Sequence, residues 1–426
     1  MNSYDVIGIR MPRHDVVQQV TGKVVYGEDL YRPDMLYAKA LYSKYAHAKI
    51  LRVDVSEASR VPGVKGIITA EDVPNNRFGF SHIDQPVLAD DKVRYRGDAV
   101  AVVAADSLKA ADEAVKLIKV DYDVLPVVFD PLEAMKEDAP LVHDGSNIVT
   151  HIKIRQGDAE EGFKNSDIIV EEEFSSQKVE HSPIETHVAL AEIENDGKLV
   201  IWTSSSRPFH YAEQLIKILA IPMNRLQIKT PSVGGAFGGK NEITLEPWVA
   251  LLAMKTKRPV KMVFTREEEF FSSTVRHPYI MKYKTGLRKD GKIIARQVQL
   301  ISNSGAYAAL GKSTLTKATV HCCGPYNIPN VKVDGYLVYT NTLVGGSMRG
   351  MGVPQVCFAH EVHANTIAEK LGMDPVEFRI KNMFGETGTL PNGQEVNAKP
   401  LQLTLQKALK LYESSLAGGA DHEKKR

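Results

Sequence analysis

Ser232-Val-Gly-Gly-Ala-Phe-Gly-Gly-Lys240, with Gly345-Gly-Ser-Met-Arg-Gly-Met-Gly-Val-Pro-Gln355 downstream of it, decides how the rest of the chain is read. Both stretches set glycines around a large apolar residue and a cation. Glycine lets backbone approach a ligand closely and turn through positive φ, so successive N–H groups can converge on an anion. A Phe or Met inside such a turn reads as a wedge set beside that ligand. The pattern predicts a phosphate-bearing cofactor held between two loops, with substrate against the wedge.

The first stretch lies between a predicted strand and a predicted helix, and Gly234-x-x-x-x-Gly239-Lys240 nearly spells a P-loop. A P-loop needs Ser or Thr next, because its hydroxyl binds magnesium. Asn241 stands there instead, and no apolar strand ending in an isolated Asp offers the second magnesium contact. Nucleotide hydrolysis is set aside on these grounds. Anion binding by backbone N–H groups ahead of a helix remains, beside the plainer reading of a structural glycine turn.

Working outward, the chain of 426 residues is long enough for two to three domains of about 150 residues. Its 43% hydrophobic and 25% charged residues are those of a globular protein. A net charge of +1 gives no electrostatic case for nucleic acid or an anionic membrane. Cys322, Cys323 and Cys357 have no C-x-x-C spacing, which argues against zinc or iron–sulfur ligation and for buried reduced thiols. The start of the chain has no secretory leader pattern. The longest apolar run, residues 99–105, is far below the roughly 20 residues that span a bilayer. The reading is cytoplasmic.

Five regions follow: an N-terminal arm over 1–17, an α/β domain over 18–131, an acidic Pro- and Gly-containing linker over 132–146, a long α/β region over 147–412, and a disordered tail over 413–426. In the first domain, 99–105 reads as a buried strand. Asp106 or Ser107 caps a helix whose Leu108, Ala111, Val115 and Ile118 share a face, and 120–124 returns as a strand. In the long region, Asn195-Asp-Gly197 and Lys289-Asp-Gly291 read as hairpin turns. Helices are predicted over 211–220, 245–255 and 356–370, and one starts at Asp374-Pro375. His181, Glu185 and His187 invite a metal reading, but Pro183 breaks a shared helical face, so they are taken as polar core.

The two glycine stretches together resemble the molybdenum-binding part of the xanthine dehydrogenase/aldehyde oxidase family of molybdenum hydroxylases. Thr21-Gly-Lys-Val-Val-Tyr-Gly-Glu-Asp29, Met35-Leu-Tyr-Ala38, His47-Ala-Lys-Ile50, Pro62-Gly-Val64 and Arg96-Gly-Asp-Ala-Val-Ala101 resemble the hammerhead domain that precedes it. The resemblance implies an α/β (α+β) fold: an N-terminal hammerhead domain, then the first half of a molybdopterin-binding domain. It implies molybdopterin cytosine dinucleotide carrying molybdenum, with no direct protein ligand to the metal. Gly234, Gly235, Ala236, Phe237, Gly238, Gly239, Arg349 and Gly350 would bind the cofactor, with Phe237 and Arg349 near the molybdenum. It further implies [2Fe-2S] and FAD on partner subunits, and oxidation of an electron-poor carbon of an N-heterocycle or aldehyde with water-derived oxygen.

Four pocket positions depart from the family's usual residues. Ser206 stands where a Gln faces the molybdenum oxo group, Asn241 replaces a Glu, Lys317 a substrate-orienting Arg, and Met351 a stacking Phe. The resulting pocket is roomier and less aromatic, and one cation suits a carboxylated or otherwise anionic heterocycle rather than xanthine. Family members continue into a Gly-x-Gly-Glu segment whose Glu is the general base. Glu386, in Gly385-Glu-Thr-Gly388, sits too early for that role. The resemblance therefore implies a divided enzyme whose general base lies on a second molybdopterin subunit. The alternative is a non-catalytic accessory or cofactor-insertion protein of the same family.

Overall fold

Ala99–Ala105 is apolar at every position and wholly buried, as a strand covered on both faces must be. It lies inside a seven-stranded sheet that also holds Leu226–Lys229, Leu199–Thr203, Val188–Ile193, Val260–Val263, Leu36–Tyr42 and Val64–Thr69. In this computed structural model, which describes residues 7–422, the chain forms two compact units. One takes the chain up to Leu125 together with Glu180–Thr274. The other takes Pro126–Val179 and the chain from Val275 onward.

In the first unit, Leu36–Tyr42 joins the two sequence regions. It runs antiparallel to Ala99–Ala105, with Tyr37 opposite Ala105, and parallel to Val260–Val263, with Leu36 opposite Val260. Strands from 18–131 and from 147–412 thus share one sheet. The Asn195-Asp-Gly197 hairpin forms as predicted, Gly197 taking φ +79°. Helix Leu108–Leu117 starts at Ser107, whose hydroxyl accepts from the Ala110 N–H at 3.2 Å. Its buried stripe is Ala110, Ala111 and Ala114, whereas Leu108, expected on that face, is exposed. Small side chains let this helix lie close to its strands, and Leu108 falls outside that stripe. Helix Glu246–Thr256 is buried on all sides through Ala253, and the Trp248 indole donates to the Val87 carbonyl at 2.8 Å.

The second unit is built on a five-stranded sheet in the order Ile168–Ser176, Tyr279–Leu287, Ile293–Gly305, Asn330–Tyr339, Ile148–Gln156. Lys289-Asp-Gly291 turns between the second and third of these, which pair from Tyr279↔Ser302 to Leu287↔Ile293. Helices Gly311–His321, Val353–Lys370 and Pro375–Asn382 contribute to the core with the sheet, including Leu315, Ala359, Ala364 and Phe378. Asp374 caps the last of these through the N–H groups of Val376 and Glu377, as the sequence predicts. Cys322 and Cys323 are buried as expected, but Cys357 is exposed because its position on helix Val353–Lys370 faces away from the sheet core. Residues 413–422, expected to be disordered, continue helix Lys399–His422. Leu, Ala, Lys and Gln favour helix along that element, and no proline follows Pro400 in its first turn. Residues 423–426 of that tail, and 1–6 of the N-terminal arm, lie outside the described residues.

Candidate functional site

Strand Leu226–Lys229, parallel to Leu199–Thr203, delivers the chain to the first glycine loop, where Ser232 bridges to Tyr26. The loop turns on left-handed backbone at Gly235 (φ +106°), Phe237 (φ +50°) and Gly238 (φ +108°). Phe237 is the unusual member, because a side chain in that region costs about 1–2 kcal/mol. The residue is 48% exposed, so its burial does not repay the strain. Strain of this kind persists where the surroundings over-determine it.

The surroundings are a buried ionic floor. Glu185 accepts from the Gly234 N–H at 2.8 Å, the Gly27 N–H at 3.0 Å and the Lys240 ammonium at 2.9 Å. Lys240 is fully buried and also donates to the Glu185 carbonyl at 2.8 Å. Burial pushes its ammonium below the ordinary lysine range, against the pull of Glu185. The cation of the first stretch therefore points inward and ties the loop down. The amides of Gly234 and Gly239, which the sequence reading turned toward a cofactor, serve Glu185 and the Ala236 carbonyl, because a buried carboxylate and a tight turn require them. The amides of Gly235, Ala236, Phe237 and Gly238 have no hydrogen-bond partner among the described residues.

His187 completes the floor. Its Nδ1 lies 2.7 Å from the Glu269 carboxylate and its Nε2 lies 3.3 Å from the Gly239 carbonyl. Both neighbours only accept, an arrangement that favours the protonated ring. Burial opposes that charge, but Glu269 outweighs it and raises the His187 pKa. Glu185 and His187 are thus tied into the floor, His181 is buried, and among the described residues no three His, Cys, Asp or Glu side chains are placed to hold a metal ion. Ser206 is exposed, and its N–H donates to the Lys240 carbonyl at 2.9 Å, so it lies at the end of the loop beside half-buried Asn241.

The second loop belongs to the other unit. Gly345–Gly346 runs parallel to Val275–Arg276. The chain then takes left-handed backbone three times running, at Gly350 (φ +95°), Met351 (φ +45°) and Gly352 (φ +86°), before helix Val353–Lys370. Met351 repeats the device of Phe237: a large apolar residue in glycine's conformation. The Lys317 amine, reaching from helix Gly311–His321, lies 3.6 Å from the Met351 sulfur, so these two predicted pocket residues do meet. Arg349 is exposed beside exposed Gly350.

Sequence reasoning missed Arg276. Its Nη2 donates to the Arg349 carbonyl at 2.9 Å, its Nε faces the Met348 sulfur at 3.1 Å, and its Nη1 reaches Gln355 Oε1 at 3.4 Å. Only the order Arg276-His277-Pro278 ahead of a long strand was available as a signal, and it carries no motif.

A phosphate-bearing group requires N–H donors with no other claim on them. Four amides of the first loop meet that requirement in the first unit, and the exposed guanidinium of Arg349 meets it in the second, so the residues of each loop suit such a group. Each loop, on its own α/β frame, has the donors that the class of proteins binding an anionic cofactor uses.

Comparison with known proteins gives that class its family. The molybdopterin cofactor-binding domain matches residues 142–383, and the a/b hammerhead domain of aldehyde oxidase and xanthine dehydrogenase matches residues 21–126. The chain is 40% identical over 407 residues to the nicotinate dehydrogenase large molybdopterin subunit of Eubacterium barkeri, covering 95% of this chain and 96% of that one. It is 40% identical over 372 residues to a probable xanthine dehydrogenase subunit of Bacillus subtilis, covering 87% of this chain and 50% of that one. The solved aldehyde oxidoreductase of Desulfovibrio gigas superposes with a TM-score of 0.91 at 33% identity, over 96% of this chain and 47% of its own. This chain thus spans about half the length of the latter two. It belongs to the aldehyde oxidase and xanthine dehydrogenase family, as a molybdopterin-binding subunit of those oxidoreductases, with a hammerhead region ahead of the molybdopterin-binding region. Among the described residues no helix is long and apolar enough to cross a membrane.

Proposed function

We propose that the two glycine loops hold molybdopterin cytosine dinucleotide, and that the chain works in a molybdenum hydroxylase acting on an electron-poor carbon of an N-heterocycle or aldehyde. The observation that carries this reading is the repeated device: Phe237 and Met351, each left-handed and flanked by glycine, each beside donors suited to an anion. The bound molybdenum group supplies the two-electron redox chemistry.

The residues of this chain bind and orient. The free amides of Gly235 to Gly238 take anionic oxygens of the cofactor, and Phe237 stands as a wedge that fixes where substrate lies. Gly234 and Gly239 serve by shape, since their amides are committed elsewhere. Arg349 and the Gly350 backbone bring positive potential to the same group. Ser206, Asn241, Lys317 and Met351 form the substrate side. The Lys317 ammonium beside Met351 favours a carboxylated or otherwise anionic heterocycle, as a point charge without the planar fork of Arg.

The general base is proposed to be a Glu on a second molybdopterin subunit, with iron–sulfur and FAD subunits taking the electrons onward. In support, the relative matched along 96% of its length is itself named a subunit. The deciding experiment is metal analysis of protein purified natively, with co-purifying chains identified by mass spectrometry. Near-stoichiometric molybdenum with iron and partner chains is expected. A lone chain free of molybdenum would defeat the reading and favour an accessory role.

A further inference from the structure

The second loop holds one residue, Met351, in a conformation that its side chain does not favour. Three successive residues, Gly350, Met351 and Gly352, are left-handed, and Met351 has no glycine-like freedom to be so. Two local hydrogen bonds, Met351 N–H to the Met348 carbonyl at 2.7 Å and Val353 N–H to the Gly350 carbonyl at 3.2 Å, tie the turn only to itself and to the start of the helix. The additional restraint comes from the neighbouring strand. Arg276 spreads its guanidinium over Met348, the Arg349 carbonyl and Gln355, so one planar group spans both the approach to the turn and the first turn of the helix after it. Gln355 in turn donates to the His277 carbonyl at 3.0 Å, which returns the restraint to the same strand. Beneath the loop, a Cβ on Gly345 would lie 2.5 Å from the His277 ring, so the glycine there serves close approach rather than a turn.

Arg276 also lacks a counter-charge. All three of its partners are neutral, and among the described residues no carboxylate pairs with it. Lys178, next to the Val179 that bridges to Arg276, places its charge near His277 rather than Arg276, and it too has no carboxylate partner among the described residues. Burial pushes the Lys178 ammonium down to about 8. Half-buried cations without anions are costly unless an anion arrives from outside.

We propose that Arg276 is the positioning residue of the second glycine loop: it fixes the left-handed turn that presents Arg349 and the Gly350 amide to an anionic cofactor, and it brings an uncompensated positive charge to that turn. This rests on the cofactor-binding reading given above.

The test uses the full chain in its native complex, with Arg276→Met and Arg276→Lys compared with the unaltered protein. Three quantities are measured: molybdenum per chain, released pterin nucleotide per chain, and the thermal midpoint. Arg276→Met is expected to melt close to the unaltered protein while losing about tenfold or more of its molybdenum and pterin, the scale seen when a group supporting metal-site residues is removed. Arg276→Lys keeps the charge but cannot span three acceptors, so it is expected to fall between the two. Wild-type cofactor content in both variants would overturn the proposal. A fall in cofactor that only tracks a fall in thermal midpoint would overturn it as well, reducing Arg276 to a fold-stabilising role. Should Arg276→Met not fold, Arg276→Lys decides by the same two measures. An unaltered complex without molybdenum would instead defeat the cofactor reading itself, so the two failures are distinguishable.

Discussion

Phe237 and Met351 are the residues where local preference and observed backbone disagree most. A left-handed Phe costs about 1–2 kcal/mol, and Phe237 keeps nearly half its surface exposed. Replacing Phe237 with Gly removes that strain but adds unfolded-chain entropy of about 0.5–1 kcal/mol. The two nearly cancel, so urea unfolding of Phe237→Gly is expected within about 1 kcal/mol of wild type while turnover drops. A loss above about 3 kcal/mol would show that the ring is a packing residue and not a wedge. His277 makes a different kind of prediction. Burial, with the nearby Lys178 charge, holds its pKa at about 4, below the ordinary 6.5. The folded state therefore binds fewer protons than the unfolded state between those values. His277's contribution is fully present above pH 6.5 and is lost as pH falls toward about 4, worth on the order of 3 kcal/mol. His277→Leu should flatten the stability profile across that window, and an unchanged slope in urea titrations at pH 5 and pH 7 would refute the assignment.

At the scale of elements, regular structure was legible and the inside of the loops was not. The strand at Ala99–Ala105, both Asp-Gly hairpins and the Asp374-Pro375 helix start follow from run length, turn chemistry and capping, which act within a few residues. The glycine loops were found by composition, and Ser206 and Lys317 were brought to them by counting along the chain. What stayed hidden was the direction of each charge. Lys240 reads as a ligand cation in sequence, yet it is buried on Glu185, more than 50 residues away, and Arg276 carried no motif at all. Long-range ion pairs leave no periodic trace. The Glu185–Lys240 pair is open to a mutant cycle. Glu185→Ala strands a buried ammonium and two backbone amides, so a loss of about 3–5 kcal/mol is expected. The double variant Glu185→Gln/Lys240→Met should recover part of that, because Gln still accepts one amide bond and no charge is left unpaired. If the double variant is no more stable than Glu185→Ala, the pair is not the element that fastens the loop.

At the scale of the whole molecule, the sheet disregards the boundaries that sequence patterns suggest. Residues 18–131 read as a separate domain, with a linker after them. Yet Leu36–Tyr42 is paired on its other edge by Val260–Val263, and the Leu36 N–H donates to the Pro259 carbonyl at 2.7 Å. Leu36, Ile68, Val87, Leu88 and Val102 belong to one core with Tyr211, Leu215, Trp248 and Leu252. A strand that looks complete by its hydrophobic run says nothing about which strand lies beside it, so this sharing could not be read from the chain. A fragment of residues 1–131 would open the edge of Leu36–Tyr42 and uncover those five side chains. At about 1.5–3 kcal/mol each, on the order of 10 kcal/mol is at stake, comparable with the 5–15 kcal/mol that holds a typical domain together. The fragment is expected to bind a hydrophobic dye and to give a poorly dispersed amide spectrum, and co-expression with residues 132–426 should restore a cooperative transition. A dispersed spectrum and sharp unfolding from the fragment alone would mean that the core contributed by 180–274 is dispensable to it.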